Sequence, residues 1–207
     1  MQISVIENLE FTYHNNSTNK AAYLLLHGIR GGIHEAYTQA LFTKLKSRGD
    51  TILAINFPYM SRGEDRTGIS NLSEEIKALQ TAVDFLRLAD KTPIHIIGKS
   101  FGGIVASHWL SEDRRGDDTD LSIMGYVPGE GNVLTAALGG KLRVVIQGQY
   151  DAYASPAKVR SELSAHQIDA DVIEIINADH SYRDITNTNL AEYGFQGTAI
   201  AELLKLI

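Results

Sequence analysis

Gly98-Lys99-Ser100-Phe101-Gly102-Gly103 follows the apolar run Ile94-His95-Ile96-Ile97 and opens a second apolar segment, Ile104 to Leu110. The first run reads as a buried strand and the second as a helix. Gly-x-Ser-x-Gly therefore lies on a strand-to-helix turn, the context in which this motif presents a serine nucleophile. A side chain on so sharp a turn is pushed into a strained backbone conformation. Gly98 and Gly102 have no Cβ, so strand and helix can pass close on either side of it. The reading predicts that Ser100 Oγ stands clear at the carboxyl edge of a sheet. Phe101 N–H is expected to point the same way, at a helix start where the dipole favours developing negative charge. Two other readings compete. A phosphate-binding loop needs a glycine where Pro93 stands and a flexible approach where Ile94 to Ile97 leave no room. A tight turn with glycines for packing alone predicts the same residues and no chemistry.

Outward from this turn, strand and helix alternate. Residues 3–13 show a period of two (Ile3, Val5, then Leu9, Phe11, Tyr13), which suits a half-exposed edge strand. Tyr23 to Leu26 reads as an inner strand ending in His27-Gly28-Ile29-Arg30-Gly31-Gly32, and Glu35 to Arg48 as a helix stopped by Gly49. Thr51 to Phe57 is a buried strand closed by Pro58, and Tyr59 to Ser70 a polar loop. Asn71 is expected to cap the next helix, with Glu74 three residues on. Leu72, Ile76, Leu79, Val83 and Leu86 then fall at helical spacing. Ser111 to Asp120 reads as a charged, solvated loop whose aspartates do not match a calcium loop. Strands are predicted at Leu121–Val127, Leu142–Ile146 and Val172–Ile176. Ser155-Pro156 is expected to cap a helix running to about Ala165, and a last helix to reach Ile207. Inner strands apolar on both faces imply an α/β fold, a mainly parallel sheet with helices on both faces. Ligands in such folds sit at the carboxyl ends of the strands.

Composition bounds the partners. The chain has 207 residues, 43% of them hydrophobic and 21% charged, ordinary values for a single globular domain spanning 1–207. A net charge of −6 argues against nucleic acid or an anionic membrane as partner. There is no cysteine, hence no disulfide framework or thiolate metal site. Met1 to Val5 lacks a basic region followed by an apolar one, and no apolar stretch approaches the roughly 20 residues of a membrane span. A cytoplasmic protein acting on a small molecule, with no metal and no cofactor, is the expectation. The oligomeric state is not written in the sequence.

Four features fall at the predicted carboxyl ends: the His27-Gly28 loop, Ser100, Asp151 and His180. A serine hydroxyl is a weak nucleophile unless a base takes its proton. Histidine can do so near neutral pH, and a carboxylate can orient it and stabilise its charged form. Of the seven histidines, only His180 follows the final strand. His27 is expected to brace its loop and His95 to be a satisfied core residue; His14, His34, His108 and His166 have no matching context. Asp179 is too close to His180 in sequence to reach its ring easily, which favours Asp151.

With these residues in place, the chain resembles the α/β-hydrolase family over nearly its whole length. Gly98 to Gly103 is similar to the family's nucleophile elbow. The resemblance implies Ser100 as nucleophile, Asp151 as acid and His180 as base, with Ile29 N–H beside Phe101 N–H as the oxyanion hole. From the residues themselves, Arg30 is a candidate to hold an anionic group on the substrate, against a plain exposed loop arginine, and Tyr59, Met60 and Arg62, which follow a strand end, are candidates to line the substrate pocket. The small size resembles the compact, lidless esterase and dienelactone-hydrolase-like branch. Two departures stand out: the chain lacks the cysteine nucleophile frequent in that branch, which argues against a dienelactone substrate, and Lys99 is not the residue expected before the serine. The implied function is hydrolysis of a small carboxylic ester through an acyl-enzyme. A thioesterase or peptidase with the same triad, and a non-catalytic binding protein of the same fold, are the alternatives. The short connection from Pro128 to Lys141 predicts no cap domain and an open site. The base is expected to titrate near pH 6 to 7.

Overall fold

The computed structural model describes residues 9–112, 117–129, 131–135, 138–186 and 194–207; the alternation of Ile3 and Val5 lies outside them. Among these residues the elements run β1 (Phe11–His14), β2 (Ala22–Leu26), α1 (Ala36–Arg48), β3 (Thr51–Ile55), α2 (Pro58–Ser61), α3 (Ser73–Leu88) and β4 (Ile94–Lys99). They continue with α4 (Phe101–Ser111), β5 (Thr119–Met124), β6 (Leu142–Gly148), α5 (Pro156–Ala165), β7 (Asp171–Ile175) and α6 (Gln196–Leu204). The strands form one sheet in the order β1-β3-β2-β4-β5-β6-β7. β1 is antiparallel to β3 at one edge and the other pairs are parallel.

Alternating residues of the inner strands serve two cores. Leu24, Leu26, Ile94 and Ile96 pack with Leu79 and Val83 of α3, Val105 of α4 and Val159 of α5. Leu25, Ile52, Ile97 and Ile146 pack with Leu41 and Leu45 of α1 and with Ile200 and Leu203 of α6. Burial on both faces is why these strands read as unbroken apolar runs, and each fully buried Leu or Ile contributes about 1.5–3 kcal/mol. β1 is only half-buried along its length, as its edge position dictates.

Several boundaries differ from the sequence expectations, each for a local reason. β5 starts at Thr119, inside the expected charged loop, because Asp120 is met there by His95 and Arg143 of the flanking strands. It ends at Met124, where Gly125 turns the chain at φ 75°. Pro58 opens a short helix instead of a loop, since its fixed φ suits a first helical position. Leu72, not Asn71, flanks α3; Asn71 Oδ1 still accepts the Ser73 N–H at 3.2 Å, and Glu74 pairs with Arg62. Ser155 caps α5 as expected, its Oγ accepting the Lys158 N–H at 3.3 Å.

The topology places a crevice. β2 leads through α1 to β3 on one side, while α3 on the opposite face carries the chain back past β2 to β4. Connections leaving in opposite directions open a gap between the carboxyl ends of β2 and β4, where such sheets bind ligands. Described residues of the connection after β5 are tied to α4: Val133 N–H donates to Ser107 Oγ at 3.0 Å and His108 meets the Gly131 carbonyl at 3.0 Å. Among the described residues no helix is long and apolar enough to cross a membrane.

Candidate active site

Ser100 sits between β4 and α4 at φ 47°, ψ −107°, a conformation that costs a non-glycine residue on the order of 1–3 kcal/mol. The glycines around it are sterically required. A Cβ on Gly98 would lie 2.5 Å from Gly103 N, and one on Gly102 would lie 2.5 Å from the Leu26 carbonyl oxygen. The first contact closes the elbow and the second seats α4 against β2. Ser100 N–H donates to the Met124 carbonyl at 2.8 Å, which fixes the turn to β5.

Three strand ends converge here. The Ser100 hydroxyl lies 2.8 Å from His180 Nε2, and His180 Nδ1 lies 2.7 Å from Asp151 Oδ2. The Asp151 side chain is fully buried, and its other oxygen accepts the Tyr153 N–H at 2.9 Å. Asp179 is committed elsewhere. Its Oδ1 accepts from the Ser181 and Arg183 amides at 2.8 and 2.9 Å, and its Oδ2 holds the Arg183 guanidinium. This shapes the loop that carries His180, and the buried Tyr182 hydroxyl fastens that loop to β6 by donating to the Ile146 carbonyl at 2.9 Å. Burial pushes the His180 imidazole below the ordinary value of 6.5; the bond to Asp151 opposes this and the charge of Lys99 adds to it.

Phe101 is the first residue of α4, so its N–H has no partner within the helix. Ile29 lies in the turn closed by Gly31 N–H and the Gly28 carbonyl at 2.9 Å. His27 braces this turn. Its Nε2 accepts the Phe57 N–H at 3.0 Å, so the proton sits on Nδ1 and is donated to the Gly28 carbonyl at 2.7 Å. Burial lowers the His27 pKa to about 4, which keeps the ring neutral.

Tyr59 is a correction to the sequence reading. It does not line the cleft: it is 3% exposed, and its hydroxyl donates to the Ile29 carbonyl at 3.0 Å. The turn of α2 sends the ring inward, among those of His27, Phe57 and Phe101. Arg66 covers the Tyr59 and Phe101 rings and pairs with the buried Glu75 at 3.0 Å. The segments bearing both candidate amides are thus held by one aromatic group. Met60 packs on the core and Arg62 pairs with Glu64 and Glu74, so neither reaches the site.

The cleft beside Ser100 and His180 has a volume of about 190 Å³ and is lined by Ile29, Arg30, Glu35, Tyr37, Lys99 and Gln196. Arg30 is exposed at its rim. The sequence reading missed Glu35, Tyr37 and Gln196; only Glu35, just past the glycine turn, lay where a pattern could have found it. Tyr153 was missed too: it is exposed, and its ring centroid lies 4.6 Å from that of His180.

A family model described as an alpha/beta hydrolase domain matches residues 19–206. Among solved structures the chain is similar to a dienelactone hydrolase from Anabaena variabilis (19% identity, TM-score 0.73, covering 95% of this chain and 88% of that one). It is also similar to an α/β serine hydrolase without a lid from Xanthomonas campestris (14%, 0.66, 95% and 88%). A third is Est1E from Butyrivibrio proteoclasticus with ferulic acid bound (14%, 0.67, 96% and 95%). At these identities the likeness is one of fold. No curated protein matches the sequence significantly.

Proposed function

The chain belongs to the alpha/beta hydrolase family, and from that premise we propose that it is a serine hydrolase cleaving a small carboxylic ester through an acyl-enzyme. The observation that carries this reading is the continuous chain Ser100–His180–Asp151, with contacts of 2.8 and 2.7 Å. In the proposed reaction Ser100 Oγ attacks the ester carbonyl carbon while His180 Nε2 takes its proton. Asp151 stabilises the imidazolium, and the Ile29 and Phe101 amides hold the oxyanion. Collapse breaks the carbon–oxygen bond to the alcohol, which leaves with the proton from His180. Water, deprotonated by the same ring, then attacks the acyl-serine and releases the acid. Arg30, at the rim, is placed to meet an anionic group on the substrate.

Two outcomes follow from the geometry. His180 must be neutral to accept the proton, and its burial extends the neutral form to lower pH. The acid limb of kcat/KM on a soluble ester is therefore expected to have its midpoint below 6.5; a midpoint above that value would contradict the burial argument. The cleft is smaller than the roughly 300–1,000 Å³ of drug-sized pockets, and each CH₂ left in water forgoes about 0.8 kcal/mol of binding. In a series of p-nitrophenyl esters, kcat/KM should peak at short acyl chains. A steady climb to long chains would overturn the small-ester reading.

A further inference from the structure

Lys99 immediately precedes the nucleophile, and neither the proton relay nor the oxyanion amides account for it. The residue is half-buried, but its ammonium is enclosed by protein. Nζ donates to the main-chain carbonyl of His180 at 2.9 Å and lies 5.4 Å from the centre of the Tyr182 ring. A buried ammonium is costly unless charges and acceptors surround it. Here the charges of Asp151 beyond β6, Glu35 at the start of α1 and Asp179 in the His180 loop favour the ammonium, and the Tyr182 ring lies alongside it. Three carboxylates on three separate segments thus support one cation.

We propose that Lys99 is a positioning residue for the relay: it holds the His180 main chain where the imidazole meets both Ser100 and Asp151. The proposal rests on reading Ser100, His180 and Asp151 as a relay. The carbonyl that Lys99 grips belongs to the same residue as the ring, so releasing it moves the ring directly. A cation close by disfavours the imidazolium, in the same direction as burial does. Desolvation also lowers Lys99 itself to about 8, against the opposing pull of Asp151, Glu35 and Asp179. Its charge is therefore full below that pH and fades above it.

Lys99→Met keeps the length of the side chain and removes both donor and charge. It is expected to lower kcat by about tenfold with KM little changed, and to move the acid limb of kcat/KM to higher pH. A folded Lys99→Met enzyme whose acid limb coincides with that of the wild type would overturn the proposal, because a purely structural lysine would leave that limb in place. A second measurement leaves Lys99 intact. In Ser100→Ala protein, the imidazole resonances of His180 should show, besides their own titration, a second inflection near pH 8 from Lys99. Glu35→Gln removes a carboxylate that supports the ammonium and should shift that inflection to lower pH. A single-step His180 titration, or an inflection indifferent to Glu35→Gln, would overturn the proposal. Covalent labelling of Ser100 by a fluorophosphonate decides the serine reading separately, so the two failures are distinguishable.

Discussion

Ser100→Ala is expected to lower kcat by about 10⁴–10⁶ while leaving the fold and its melting temperature nearly unchanged. Members of a nucleophile–base pair act as a unit, and losing either removes most of the rate enhancement. His180 Nε2 is aimed at Ser100 Oγ, 2.8 Å away, and alanine presents no hydroxyl there. Ser100 borders the open cleft, so removing Oγ leaves no buried cavity. The strained φ of 47° belongs to the backbone and is unrelieved by alanine. Steady-state kinetics and a thermal melt on the same purified protein check both halves. Full activity in the variant would place the chemistry elsewhere.

Asp151→Asn should cost about 10⁴ in kcat, as loss of the orienting carboxylate does in such triads, whereas Asp179→Asn should cost at most about tenfold. The structure shows why an isosteric change is so damaging. Asp151 Oδ1 accepts the Tyr153 N–H, so an asparagine there keeps its oxygen on that amide and turns its NH₂ towards His180. Nδ1 must then accept rather than donate, the ring proton moves to Nε2, and the serine faces a donor where it needs a base. In Asp179→Asn the amide oxygen would still accept the Ser181 and Arg183 N–H groups; the losses would be the exposed Arg183 side-chain partner and one of three charges that support Lys99. The reverse ranking of the two variants would show that the acid is misassigned.

What was legible in the sequence shares a cause. The elbow could be read because Gly98 and Gly102 answer to backbone contacts of 2.5 Å, a demand only glycine meets. The parallel sheet could be read because two-sided burial leaves unbroken apolar runs such as Ile94 to Ile97. Asp151 and His180 could be placed because each follows a strand end. The rest depends on where a side chain turns, or on distant segments meeting. Tyr59 looked like a pocket residue because it follows a strand; one turn of helix at Pro58–Ser61 points it inwards, onto the Ile29 carbonyl. Thr119 and Asp120 looked like loop because their partners, Ile94 for Thr119 and His95 and Arg143 for Asp120, lie on other strands. Tyr37 and Gln196 come from two remote stretches, and no local pattern announces that they line one cleft.

A Ser100 nucleophile activated by His180 should react when the folded protein meets a fluorophosphonate, and intact-mass analysis with peptide mapping reads the outcome. A single adduct on Ser100 in the wild type, absent in Ser100→Ala, is the predicted result. A folded wild-type protein that takes up no adduct, or an adduct that persists in Ser100→Ala, would contradict it.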